Sequence, residues 1–251
     1  MEAKRLTTNP ITPAGFTLLA LLVFTSGFQQ QAIDKLHNFE RLVLNSVVGP
    51  ESLAFDHLGG GPYTGVSDGR ILKWQGQGLG WADFAVNSKH RDYLLAVITG
   101  DATGRLMKYD PETKKVTVLI RGLAFPNGLA ISNDNTFLLI AETSTCRVLK
   151  YWLQGPRTGT IKVFAELPGY PDNIKRNPRG EFWVALNQNK LQLNGQTAPE
   201  QHPVALRLSQ EGKVLEVLVG GAMTSISEVE ENDGTIWFGS VDMPYVGVYK
   251  L

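Results

Sequence analysis

Two tripeptides carry the residues best suited to chemistry in this chain, Pro126-Asn127-Gly128 and Pro171-Asp172-Asn173, 45 residues apart. Together with Glu51 of Gly49-Pro50-Glu51, they set carboxylate and amide oxygens at corresponding points, each just ahead of a short apolar stretch. One or two carboxylates with amide oxygens suit a hard cation such as Ca²⁺, which takes about 6–8 oxygen ligands. Asn and Asp in those places also shape turns by bonding their own backbone, and spacing alone leaves both readings open. Other chemistry is sparse. Ser144, Ser225 and Ser227 have no partnered histidine, and no Gly-x-Ser-x-Gly elbow occurs. The four histidines (His37, His57, His90, His202) are scattered, and the single cysteine, Cys146, excludes an intrachain disulfide and reads as a small buried residue rather than a nucleophile. Glu228, Glu230, Glu231 and Asp233 read as a solvated strand and turn, and Trp74, Trp152, Trp183 and Trp237 as packing between sheets.

The elements around the two tripeptides repeat. Each tripeptide launches a short apolar strand (residues 129–131; Ile174), a polar turn and a strand rich in aromatic and aliphatic residues (137–141; 182–186). The first copy continues with strands at 147–153 and 160–167, the second with strands at 204–208 and 214–219 after a polar insertion at 187–202. A four-stranded unit recurring at roughly 40–50 residues is the pattern of propeller blades. The fold class is therefore all-β, a β-propeller. Residues 52–86 make another unit, and the chain stops three strands into a last one that starts near Ser225. Residues 39–48 could supply that unit's closing strand from the other end of the chain.

The register fails once. Between Val86 and Phe125 only two strands are legible, residues 104–109 and 115–119, and they resemble the third and fourth strands of a blade. Residues 87–92 look like a join between parts not originally adjacent, so the propeller is incomplete, with about four blades. Lys plus Arg equals Asp plus Glu at 24 each, so no overall charge recruits nucleic acid or an anionic membrane. Residues 1–28 combine a basic start (Lys4, Arg5), an apolar run and the small residues Thr25-Ser26-Gly27, the pattern of a signal peptide or signal anchor. That places the protein in the secretory pathway (ER, vacuole or extracellular), touching membrane only through this segment if it is uncleaved. The expected organisation is 1–28 targeting segment, 29–48 linker and closing strand, and 49–251 propeller, truncated between 86 and 91.

Gly49-Pro50-Glu51-Ser52, Trp81-Ala82-Asp83, residues 123–128, Ala141-Glu142-Thr143, residues 164–176 and Phe182-Trp183-Val184-Ala185 resemble plant strictosidine synthase-like proteins. These belong to the six-bladed propeller superfamily with paraoxonase, gluconolactonase and the adipocyte plasma membrane-associated protein. The similarity covers about residues 40–86 and 91–251. Family members carry roughly 80–90 further residues between the counterparts of Val86 and Arg91, room for about two blades. The resemblance implies a channel Ca²⁺ at Glu51, Asn127, Asp172 and Asn173 that polarises the carbonyl of a small-molecule ester or lactone. It also places Ser227 where strictosidine synthase carries the glutamate that acts as general base in amine–aldehyde condensation. A serine hydroxyl is a poor base near neutral pH. The expected function is thus a metal-assisted ester or lactone hydrolase, with a catalytically inactive propeller scaffold and true strictosidine synthase activity as alternatives.

Overall fold

The computed structural model describes residues 32–33, 39–45, 47–56, 58–86, 100–187, 202–220, 223 and 225–251. The targeting segment, the join at 87–92 and most of the polar insertion at 187–202 lie outside them. In chain order come β1 (Ala32–Ile33) and β2 (Glu40–Val43), then a sheet of β3 (Ser52–Ala54), β4 (Tyr63–Gly65), β5 (Arg70–Trp74) and β6 (Trp81–Val86). A two-stranded sheet follows, β7 (Gly104–Asp110) with β8 (Lys115–Leu123). The next sheet holds β9 (Pro126–Ile131), β10 (Phe137–Glu142), β11 (Arg147–Trp152) and β12 (Ile161–Glu166). Then come β13 (Tyr170–Arg176), β14 (Phe182–Asn187), β15 (Pro203–Leu208) and β16 (Val214–Val219), extended by β1, which pairs parallel to β16. The last sheet is β17 (Ile226–Asn232), β18 (Thr235–Ser240) and β19 (Tyr245–Lys250), with β2 as its fourth strand. Four sheets of antiparallel, meandering strands and one half-sheet make an incomplete propeller. No helix among the described residues is long and apolar enough to cross a membrane.

The second strand of a blade is covered from both sides, and the sequences of β10 (FLLIAE) and β14 (FWVALN) are apolar without alternation for that reason. All six residues of each are buried. Between these two sheets Phe137, Phe164 and Phe182 form a triangle of rings 6.0–6.3 Å apart. Burying one such side chain contributes about 1.5–3 kcal/mol. A second apolar layer, with Trp183, Met223, Ile226 and Phe238, joins the β13–β16 sheet to the last one. Trp237 packs edge-on against Phe55 at 5.4 Å, so this tryptophan does join sheets.

The half-sheet marks where the repeat breaks. Among the described residues the β7–β8 sheet lacks first and second strands, and Met107, Tyr109 and Val116 on it are exposed. On β9, Ala130 is buried toward the β13 sheet, whereas Leu129 and Ile131 on its other face are about half exposed. At the far end of the chain, β2 pairs antiparallel with β19, setting Val43 opposite Tyr245 and Glu40 opposite Val248.

Candidate functional site

The first strands β9, β13, β17 and β3 stand side by side around the centre. The Pro-Asn-Gly and Pro-Asp-Asn segments, expected as turns ahead of strands, are themselves strand residues of β9 and β13. The reason is a repeated irregularity. The pairing slips between Ile140 and Glu142 opposite β9, between Pro171 and Ile174 in β13, and between Ile226 and Glu228 in β17. β9, β13 and β17 thus bulge at the same end, whereas β3 pairs with β4 in unbroken register, and each bulge frees its side chains from strict alternation.

β9 and β13 approach so closely that a Cβ on Gly128 would lie 2.5 Å from the Ile174 nitrogen and 2.6 Å from Asn173 Cα. This is why glycine follows Asn127. The approach brings Asn127 Nδ2 within 2.6 Å of Asp172 Oδ1, to which it donates. Asn173 Nδ2 donates to Ser52 Oγ at 3.2 Å, across to β3. The Ser227 hydroxyl donates to the Glu51 carbonyl at 2.7 Å, and Ser240 N donates to the Pro50 carbonyl at 2.9 Å. Asp172 is buried at 1% exposure, Asn127 and Asn173 are half-buried, and Glu51 is exposed. Thus Asn127 is joined to Asp172, and Asn173 to the residue after Glu51. Asn187, at the same end of the β13–β16 sheet opposite Tyr170, is fully buried and neither of its amide atoms has a partner among the described residues.

One step further along the same strands lies a charged layer that the sequence did not single out. Lys175 Nζ is 3.4 Å from Glu228 Oε2 and 3.4 Å from Glu230 Oε2, and donates to the Leu53 carbonyl at 3.0 Å. Leu53 N donates to Glu228 Oε2 at 3.4 Å, while Glu228 Oε1 has no partner among the described residues. Burial pushes the Glu228 carboxyl up to about 8 against the pull of Lys175, and raises Glu230 as well. Burial alone would lower Lys175, but the two carboxylates outweigh it and hold the ammonium above its usual range. The centre therefore holds one cation, two carboxyls and a proton that stays on Glu228 near neutral pH.

The expectation that Glu228, Glu230 and Glu231 are solvated is corrected. Glu228 is 1% exposed because the bulge at Ser227 leaves both neighbours facing inward, Ser227 being fully buried too. Glu231 Oε2 accepts from Trp183 Nε1, Asn177 Nδ2 and Arg179 Nη2, each at 2.9 Å, a knot that ties the last two sheets together. Asp233 is exposed in its turn. Cys146 is half-buried, and its thiol is pushed up to about 11 by burial and by Glu166, so it holds its proton and is no nucleophile.

Among the described residues no three His, Cys, Asp or Glu side chains gather closely enough to hold a metal. A cation at the mouth would rest on one buried carboxylate, Asp172, and on amide oxygens. That all-oxygen set, with the unpartnered Asn187 amide at the same end, fits a hard ion of low charge demand rather than zinc.

Residues 67–156 match the family described as Strictosidine synthase, and residues 32–74 the family described as Strictosidine synthase-like, N-terminal. Strictosidine synthase-like 10 of Arabidopsis thaliana is 37% identical over 324 aligned positions, covering 83% of this chain and 87% of that protein. Strictosidine synthase-like 3 of the same plant is 33% identical, covering 86% of each. The first alignment is longer than the 251 residues of the chain, so gaps open on this chain's side. Among solved structures, regucalcin of Agrobacterium tumefaciens, described as a calcium-binding protein, superposes with a TM-score of 0.54 at 14% identity, covering 84% of this chain and 93% of that one. That likeness shows the propeller fold.

Proposed function

Since the chain belongs to the strictosidine synthase-like family, we propose that it is a secretory-pathway propeller that hydrolyses a small ester or lactone at the bulged end of its first strands. The observation that carries this reading is the 2.6 Å contact of Asn127 with Asp172, made between neighbouring first strands. Asp172, Asn127 and Asn173, with Glu51 at the exposed rim, would hold a calcium ion there. When bound, such an ion supplies charge stabilisation for a polarised carbonyl oxygen.

The protein's own groups do the rest. Burial of Asp172 at the base of the mouth strengthens the polar contacts that its carboxylate makes. Glu228 keeps a proton near neutral pH, and its Oε1, unpartnered among the described residues, is the atom that can give or accept one. Lys175 offsets negative charge on the two carboxyls beside it.

Condensation of an amine with an aldehyde is the weaker reading. Ser227 occupies the expected position of the synthase glutamate, and its hydroxyl is fully buried and committed to the Glu51 carbonyl. The inactive-scaffold reading draws on the exposed Leu129 and Ile131 beside the half-sheet. Hydrolysis of phenyl acetate and of a δ-lactone, with calcium and with chelator, separates them. Calcium-dependent turnover lost in Asp172→Asn supports the hydrolase; a folded protein without turnover supports the scaffold.

A further inference from the structure

Away from the mouth, at the opposite end of the β9–β12 sheet, three cations surround one indole. Lys150 Nζ lies 5.5 Å, Arg157 Cζ 5.4 Å and Lys162 Nζ 5.4 Å from the centre of the Trp152 ring. Lys150 also sits 3.5 Å over Phe137 and 5.7 Å from Phe164. Lys150 and Lys162 are direct partners in the β11–β12 ladder, a like-charge pairing that destabilises a sheet by itself. The aromatic rings offset part of that cost through their negative faces. None of the three cations has a carboxylate within ion-pair distance among the described residues.

The acids nearest in effect are already engaged. Asp134 accepts from Ser132 Oγ at 2.7 Å and from Thr136, and Glu211 accepts from Ser209 Oγ at 2.8 Å. Burial first, then repulsion from Lys162 and Arg157, lowers Lys150 from its usual value despite those two acids. Arg157 is not loosely tethered. Its carbonyl accepts from Thr160 Oγ1 at 2.6 Å and from Thr160 N at 2.9 Å, which fixes the turn that carries it.

We infer that Lys150, Arg157 and Lys162 around Trp152 form an anion site for a phosphate-type dianion, distinct from the mouth. Two lysines and one arginine offer point charges and a planar fork to three phosphate oxygens, and two negative charges relieve the Lys150–Lys162 repulsion. The phosphate can belong to a free phosphate ester or to a lipid headgroup, and the chemistry of recognition is the same.

The test compares the full chain in sodium phosphate and in sodium chloride at equal ionic strength. Phosphate is expected to raise the melting midpoint by about 2–4 °C over chloride. Lys162→Glu should abolish that difference while raising the midpoint in chloride, because it places a salt-bridge partner opposite Lys150. Equal midpoints in the two salts for the native chain, or an undiminished phosphate effect in Lys162→Glu, would overturn the inference. Cosedimentation with phosphatidylcholine vesicles containing phosphatidic acid identifies the source: binding that Lys162→Glu removes assigns a headgroup, and a phosphate effect without vesicle binding assigns a soluble ester.

Discussion

Lys175 of β13 and Glu228 of β17 meet at 3.4 Å in the centre of the molecule, one step beneath the Asn127–Asp172 contact. The two strands belong to adjacent sheets, and β3 joins them through Leu53, which accepts from the lysine and donates to the glutamate. Three separate sheets are thus fastened through one lysine–glutamate contact.

Stability is expected to fall as pH rises through neutrality. The folded state holds the Glu228 proton up to about 8, whereas the unfolded chain releases it near 4.5. Between those values the native state binds more protons, so its advantage is complete below pH 4.5 and is lost by pH 8. Between pH 5.5 and 8.5 the loss is about 2–4 kcal/mol. Urea unfolding at pH 5.5 and 8.5 reads it, and Glu228→Gln should flatten the difference. An equally steep profile in that variant would falsify the assignment.

Lys175→Met leaves two buried carboxyls without their cation and should cost about 3–5 kcal/mol. Adding Glu228→Gln removes one of the stranded acids and should recover part of that loss. Recovery in a double-mutant cycle measured by denaturant midpoint identifies direct coupling; strictly additive losses would mean that the two residues act separately.

Gly128→Ala forces a methyl group into the backbone of Asn173 and Ile174. The expected destabilisation is about 1–3 kcal/mol, with calcium response lost as well because Asn127 and Asp172 are pushed apart. A native-like melting curve for this variant would mean that β9 and β13 stand further apart than described.

Asp172→Asn keeps shape and burial but removes the one buried carboxylate of the mouth. Calcium should raise the melting midpoint of the native chain by several degrees, on the order of 3–6 °C at saturating ion, and leave the variant unmoved. An equal rise in both would take the ion away from Asp172.

Much of the architecture was legible because it repeats. The 45-residue interval between the Pro-Asn-Gly and Pro-Asp-Asn segments, and the unbroken apolar runs Phe137–Glu142 and Phe182–Asn187, are local signals that need no partner to be read. The two-stranded remnant at β7 and β8 announced itself through the same interval. The charged centre was not legible. Alternation along β17 predicts that Ser227 and Glu228 face opposite ways, and only pairing with β18 reveals the bulge that buries both. Lys175 gave no signal at all, since its partners come from Leu53, more than a hundred positions earlier, and from Glu228 and Glu230 in the next sheet. Burial of a charge is decided by which strands meet, and that is written in no single stretch.

The pairing of β2 with β19 has a bearing on how the protein is made. Glu40–Val43 is translated about 200 residues ahead of its ladder partner, Tyr245–Lys250. Until then the last sheet lacks its outer strand, and the nascent chain must carry Leu42, later buried at 6% exposure, without cover. Closing so long a loop is slow, because the entropy of bringing distant segments together is lost before any contact rewards it. The interval in which a chaperone or a protease can act on β2 is therefore set by the arrival of β19, and it ends when the two strands zip together.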